Sequence, residues 1–182
     1  DSTELVGLPE YVKQMGAETA AEKGLTGWAF TLDVPSYLPF MKYSQNEARR
    51  KEIYLAYATR GIGGEFDNTQ VVKDIVDRRI KIANILGYET YADYALEDRM
   101  ANDKDIVNDF LADLAKKSIA PAKKDVQQVY EFAKKNGFEG KELMPWDFTY
   151  WSERYQETEY SLNAEELKPY LSLDNCINAV FD

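Results

Sequence analysis

The sequence predicts a mainly α-helical protein, a multi-helix array with one short β element. Apolar residues recur at three- and four-residue intervals in most segments, which is the periodicity of amphipathic helices. Only ten glycines and six prolines occur among 182 residues, too few for the many tight turns of an all-β chain. Hydrophobic residues make up 45% of the chain, enough for one helical domain over residues 1–182.

The first quarter of the chain is expected to contain two helices and the β element. Pro9 favours the start of a helix over residues 8–23, and Gly24 suits its end. Large apolar residues alternate with smaller ones over residues 28–32, which predicts a short strand. A short helix over residues 36–41 follows.

A fourth segment, residues 46–60, has the pattern of another helix and leads into a glycine-rich turn at residues 61–64. Such a turn resembles a phosphate cradle only superficially. It lacks the lysine and the serine or threonine of a P-loop, and Glu65 and Asp67 would repel phosphate. We therefore interpret it as a connecting loop.

The most regular helical pattern covers residues 67–87, and Arg79 lies at the centre of its apolar face. Two interpretations remain open. The arginine stem could cover apolar surface while the guanidinium reaches water, or the guanidinium could pair with a buried carboxylate from elsewhere in the chain. The apolar face itself comprises Val72, Ile75, Val76, Ile82, Ala83 and Leu86.

Two more helices are predicted before the last third of the chain. Residues 88–100 favour a short one, and Asn102 or Asp103 suits the first position of the next. Pro121 is expected to kink or restart this second helix, because proline removes one backbone donor and clashes with the preceding turn. The continuation is expected to end near Gly137.

A helix over residues 145–156 carries the most distinctive surface in the sequence. Pro145 suits its first position, and Asp147 places a carboxylate near the positive end of the helix dipole. Packing in the core is the favoured interpretation of its aromatic face, and a ligand or substrate surface is the alternative. That face comprises Trp146, Tyr150, Trp151 and Tyr155.

The ends of the chain suggest an excised piece of a longer protein. The sequence begins with Asp1 rather than methionine. A short helix is predicted over residues 163–170, and a last one begins near Leu173 with an apolar face that no glycine or proline ends.

Composition excludes several classes of function. A net charge of −10 and a pI near 4.7 make nucleic acid and anionic membrane surfaces poor partners. Because the chain has no histidine, it can contain no Ser-His or Cys-His catalytic arrangement. Cys176 is the only cysteine, so no internal disulfide can form. Carboxylate pairs such as Asp147 with Glu153 are expected by chance among 32 acidic residues.

Taken together, several motifs resemble the thimet oligopeptidase family of zinc metallopeptidases, and within it most of all the bacterial peptidyl-dipeptidases, or dipeptidyl carboxypeptidases. The order and spacing of the motifs carry the resemblance, which covers nearly the whole chain. The motifs are GWAFTLDVPSYLPFMKYS (27–44), RRKEIYLAYATR (49–60), DN (67–68), R-x-x-x-A-x-x-L-G-Y-x-x-Y-A (79–92), MA (100–101), PWDFTYWSE (145–153) and EELKPYL (165–171).

The resemblance implies a two-lobed helical peptidase around a deep channel. It also implies one zinc ion held by an H-E-x-x-H motif and a downstream glutamate. None of those residues is in this chain, so no catalytic or metal-binding residue is assigned and the zinc belongs to the parent enzyme. The segment would lie upstream of the zinc site. Arg79 and Asp147 match family positions, which indicates structural roles for both.

We therefore expect a fragment of a zinc-dependent peptidase that acts on short peptides, contributes scaffold or channel wall, and is inactive alone. Its channel candidates are Trp146, Tyr150, Trp151 and Tyr155. Its expected partners are short peptides, through the parent enzyme, and the remainder of the same polypeptide. The alternative is a non-catalytic helical module that binds a peptide or protein. The compartment stays open between cytoplasm and periplasm, because the chain contains no targeting segment.

Overall fold

Helices dominate the computed structural model, which describes residues 2–101, 103–161, 166 and 170–181. A short 3-10 helix, Ser2–Leu5, comes first. The α-helices of the described residues are α1 (Glu10–Glu22), α2 (Val34–Tyr43), α3 (Glu47–Ala58), α4 (Thr69–Ile85), α5 (Tyr91–Leu96), α6 (Lys104–Lys135), α7 (Pro145–Tyr160) and α8 (Leu173–Phe181). The mainly α fold is thus confirmed. The helix predicted over residues 163–170 lies largely outside the described residues.

The predicted strand over residues 28–32 is wrong. This segment is irregular, and its backbone donors bond to helices instead of to another strand: Ala29 N–H donates to Gly16 O at 2.9 Å, and Thr31 N–H donates to Ser36 Oγ at 3.0 Å. The alternation of large and small residues instead reflects which side chains pack against α2. Phe30 packs against Phe40, with ring centroids 4.7 Å apart, whereas Trp28 is exposed. A strand needs a ladder of backbone bonds, and none is available here.

The restart predicted at Pro121 is also wrong, because α6 continues through this residue as one helix of 32 residues, and the alternative, a kink, stays a prediction. The missing donor costs one hydrogen bond, which the remaining bonds of so long a helix outweigh. Asp103 acts at the start of α6 as expected. Its carboxylate accepts from the backbone N–H of Asp105 at 2.6 Å, whereas Asn102, the other predicted capping residue, lies outside the described residues.

The chain separates into two compact units, Asp1–Tyr54 with Gln128–Asp182, and Leu55–Gln127. In the first unit, α2 packs against both α1 and α7. Its core joins residues from the start of the chain to α2: Leu5, Leu8, Val12, Phe40 and Tyr43. The expectation of a single domain over residues 1–182 stays a prediction.

Gly7 lets the chain turn into this core. Its φ of +89° lies in the left-handed region, and a Cβ at this position would collide with the carbonyl oxygen of Tyr43. The close approach is fixed by a neighbouring hydrogen bond, from Gln45 N–H to Val6 O at 3.0 Å. The segment before α1 is thereby joined to the segment after α2.

In the second unit, α4 packs against α5. A capping box begins α5: the Thr90 hydroxyl accepts from Asp93 N–H at 3.2 Å, and the Asp93 carboxylate accepts from Thr90 N–H at 3.0 Å. Lys104 Nζ donates to the same carboxylate at 3.2 Å, which ties α6 to α5. Within the described residues, Ala83 is the one buried residue of α4, so most of the predicted apolar face is exposed.

Candidate functional site

A buried charge pair lies where α7 begins. Arg50 on α3 and Asp147 on α7 are only 3% and 1% exposed, and their Nη2 and Oδ1 atoms are 2.9 Å apart. Arg50 also donates through Nε to the carbonyl of Trp146 at 2.9 Å and through Nη1 to the carbonyl of Ser44 at 2.8 Å. A buried arginine is tolerated when its donors find acceptors in this way.

Asp147 also interacts with the start of α7, as its position in the sequence predicts. Its Oδ2 accepts from the backbone N–H of Met144 at 3.2 Å, which satisfies a donor just before the first turn of α7. One carboxylate therefore caps α7 and neutralises Arg50.

The partner, Arg50, was missed from the sequence although a signal exists. Arg50 lies three and four residues before Ile53 and Tyr54, and so belongs to the apolar face of its helix. This is the pattern that drew attention to Arg79.

Arg79 itself is exposed. Its guanidinium lies 5.2 Å from the ring centroid of Tyr91, and no carboxylate pairs with it in the part of the chain that the structure describes. The geometry is a cation–π contact between α4 and α5.

A second polar contact joins α7 to α2 two turns after the first. Glu153 is 7% exposed, and it accepts from the Tyr43 hydroxyl at 3.2 Å and from Lys42 Nζ at 3.0 Å. Since both Asp147 and Glu153 are held by cations, the two carboxylates act as anchors of α7. Their arrangement gives no support to an acid and base pair.

Two of the aromatic side chains of α7 lie against α3. The ring of Trp146 lies 5.8 Å from that of Tyr54, and Lys51 Nζ lies 5.0 Å from the Trp146 ring. Tyr150 stacks on the buried guanidinium of Arg50, whose Cζ is 4.5 Å from the ring centroid. Both rings therefore contact a cationic side chain of α3.

The other two lie against the end of α6 and the segment after it. Trp151 makes edge contacts with Phe132 and Phe138, at centroid distances of 6.4 and 6.0 Å, and Tyr155 contacts Phe132 at 5.5 Å. All four aromatic residues of α7 are partly buried. The face predicted as one surface is thus divided between two packing contacts.

The described residues do not fit a zinc site. Among them, no group of three or more His, Cys, Asp or Glu side chains is placed to hold a metal ion. The whole sequence also lacks histidine, the usual zinc ligand. Nor does any described helix have the length and hydropathy of a membrane span.

Comparison with known proteins assigns the chain to a family. The sequence profile described as "Peptidase family M3" matches residues 40–182, and this chain belongs to that family. It is similar to "Oligopeptidase A" of Escherichia coli (strain K12), with 40% identity over 187 residues, 100% of this chain and 27% of that protein. "Oligopeptidase A" of Haemophilus influenzae is 38% identical over the same shares.

The chain is also similar to a peptidyl-dipeptidase, but at lower identity. "Dipeptidyl carboxypeptidase" of Escherichia coli (strain K12) is 26% identical, over 98% of this chain and 26% of its own length. The family resemblance is confirmed, but the oligopeptidase A sequences share more residues with the chain than this peptidyl-dipeptidase does. The chain spans about a quarter of the length of these relatives.

Proposed function

We propose that this chain is a helical part of a zinc-dependent peptidase that acts on short peptides, and that alone it is catalytically silent. The family match over residues 40–182 is the observation that supports the proposal. Relatives of about four times its length carry the names oligopeptidase A and dipeptidyl carboxypeptidase, both of which denote enzymes that cleave peptides.

The proposed silence follows from the side chains present. Zinc peptidases of the H-E-x-x-H type hold the metal through histidine and use it to activate water. The chain offers no histidine, and the two buried carboxylates among its described residues, Asp147 and Glu153, are bound to Arg50 and to Lys42 with Tyr43. We therefore derive no chemical step from these residues.

The proposed contribution is scaffold and channel wall, with α7 as the wall element. The Arg50–Asp147 pair and the contacts of Glu153 fix α7 at two points two turns apart. Rigid placement of this kind suits a surface that lines a substrate channel. The candidates remain Trp146, Tyr150, Trp151 and Tyr155, whose partly buried side chains would face the peptide.

The remainder of the same polypeptide is the second proposed partner. Apolar side chains on α4 and on the first half of α6 are exposed to a degree that soluble proteins rarely tolerate over a continuous face. Examples are Val72, Ile106, Phe110 and Leu111, each at least half exposed. In a protein of the length of the relatives, further chain would cover them.

Hydrolysis of internally quenched short peptides tests the proposal. We expect no cleavage by the purified 182-residue chain with added zinc. We expect cleavage by the longer polypeptide that contains it, abolished by a chelator and restored by zinc. Chelator-sensitive cleavage by the 182-residue chain would overturn the silent role. An inactive longer polypeptide that still binds peptides would instead favour a non-catalytic binding module.

A further inference from the structure

A cavity of about 650 Å³ lies beside the Arg50–Asp147 pair, within the unit that holds α1, α2 and α7. The start of α3, residues 137–144 and the first two turns of α7 line it. This volume falls within the range of about 300–1,000 Å³ that is usual for small-ligand sites. The cavity is therefore large enough for one amino-acid side chain with the adjoining backbone.

The buried pair at the cavity offers little charge to a ligand. Arg50 donates through Nε to Trp146 O, through Nη1 to Ser44 O and through Nη2 to Asp147. Both carboxylate oxygens of Asp147 accept protein hydrogen bonds. The charge that a ligand meets therefore comes from the other ionisable groups of the lining.

Those groups are predominantly acidic. Glu47, Glu139 and Glu142 line the cavity together with one cation, Lys141, and all four side chains are exposed. In the part of the chain that the structure describes, none of the three carboxylates has an ion-pair partner. The lining thus attracts a cation and repels an anion.

Aromatic side chains form another part of the cavity lining. Phe138, Tyr150 and Trp151 form part of the wall, and Met144 lies among them. Aromatic side chains offer apolar surface to an aliphatic stem and favour a cation at the end of that stem. Acidic groups beside aromatic walls match a lysine or arginine side chain.

We propose that this cavity binds the lysine or arginine side chain of a peptide. The inference rests on the proposed function, because short peptides are the ligands which that function supplies. Binding joins an ammonium or guanidinium group to the carboxylates of Glu47, Glu139 and Glu142 and lays its stem against Tyr150 and Trp151.

Calorimetric titration with capped alanine pentapeptides tests the proposal. The central residue is lysine in one peptide and norleucine in the other, which keeps the stem and removes the charge. We expect the lysine peptide to bind about tenfold more tightly, as one charge-assisted contact would give, and to lose affinity with added salt. Equal affinities for the two peptides, or binding of neither at millimolar concentration, would overturn the proposal.

A matched pair of triple variants assigns the effect to the cavity. Glu47→Gln with Glu139→Gln and Glu142→Gln removes the three carboxylates, and we expect lysine-peptide affinity to fall about tenfold with norleucine-peptide affinity unchanged. The control is Glu22→Gln with Glu65→Gln and Glu159→Gln, three exposed glutamates outside the cavity. An equal loss in both triple variants would show a general charge effect and overturn the site.

Titration in the presence of a chelator separates this site from the proposed function. If the longer polypeptide binds the lysine peptide in chelator but hydrolyses no peptide when zinc is restored, the peptidase role is overturned and the cavity stays intact. Hydrolysis without selective binding overturns the cavity alone. Binding by the 182-residue chain but not by the longer polypeptide would show that a basic side chain of the same protein fills the cavity, which overturns a free peptide as its ligand.

Discussion

Arg50 and Asp147 show what a single side chain contributes when its charge is buried. Removal of Asp147 leaves the guanidinium without its anionic partner and α7 without its cap. For Asp147→Ala we expect the free energy of unfolding to fall by about 3–5 kcal/mol, the usual cost of an uncompensated buried charge. Urea denaturation measures it. The control is the exposed Asp125→Ala, for which about 0.5 kcal/mol is expected. Similar losses in both variants would contradict this account.

Arg79 is an exposed arginine, in contrast to the buried Arg50. Its guanidinium is exposed over Tyr91 and has no carboxylate partner among the described residues. We expect Arg79→Met to lower the unfolding free energy by less than about 1 kcal/mol, the range of an exposed cation–π contact. Thermal unfolding followed by circular dichroism gives the value. A loss comparable to that of Asp147→Ala would show that Arg79 does have a buried carboxylate partner.

Asp93 makes stability depend on pH in the acid range. The Thr90 hydroxyl and then the Lys104 ammonium hold the pKa of Asp93 below its ordinary value of 3.8. Its contribution to stability is therefore complete above that value and is lost as the pH falls through the lowered pKa. A carboxyl titration by NMR should find the midpoint below 3.8, and Thr90→Val should raise it. A midpoint at or above 3.8 in the unaltered protein would refute the assignment.

At the scale of elements, Gly7 tests how closely the start of the chain packs on the end of α2. An alanine there would suffer both a positive φ and a collision with the Tyr43 carbonyl. Gly24 shares the positive φ but has nothing within 4 Å of an added Cβ. We expect Gly24→Ala to cost about 1 kcal/mol and Gly7→Ala at least twice that. Chemical denaturation of both variants measures the loss in unfolding free energy. Equal losses would show that residue 7 does not lie close to the Tyr43 carbonyl.

The helices could be predicted because periodicity, caps and breakers are local signals. The central helix was expected over residues 67–87 and is found at Thr69–Ile85. The strand at residues 28–32 and the helix restart at Pro121 were wrong for a different reason, since both depend on the contacts that the segment makes with the rest of the chain. Among the described residues no strand pairs with the first segment, and α6 runs through Pro121 as a helix of 32 residues.

The candidate site could be predicted only in part for the same reason. Asp147 and the aromatic face of α7 are visible in the sequence, because their positions are set by one helix. Arg50 lies about 90 residues before α7 in the sequence. The acidic lining of the cavity comes partly from the same segment as Arg50 and partly from a loop without periodicity. Such pairs become evident only when the chain is folded.

At the scale of the whole molecule, the exposed apolar faces of α4 and α6 predict how the isolated chain behaves. A hydrophobic dye such as ANS should bind the 182-residue chain more strongly, per mole, than it binds the longer polypeptide, because further chain would cover these faces. Fluorescence titration compares the two. Equal dye binding would mean that the faces stay exposed in the complete protein, and our proposal that the remaining polypeptide packs on them would be withdrawn.

The Arg50–Asp147 pair also determines when the first unit can finish folding during synthesis on the ribosome. The two residues are 97 positions apart, so the ribosome must add all of them before the guanidinium can meet its carboxylate. At about 5–20 residues per second, the nascent chain waits roughly 5–20 seconds with Arg50 hydrated and the segment that accommodates α7 unfilled. Throughout that interval α1 and α2 can associate, but the first unit cannot close until α7 emerges.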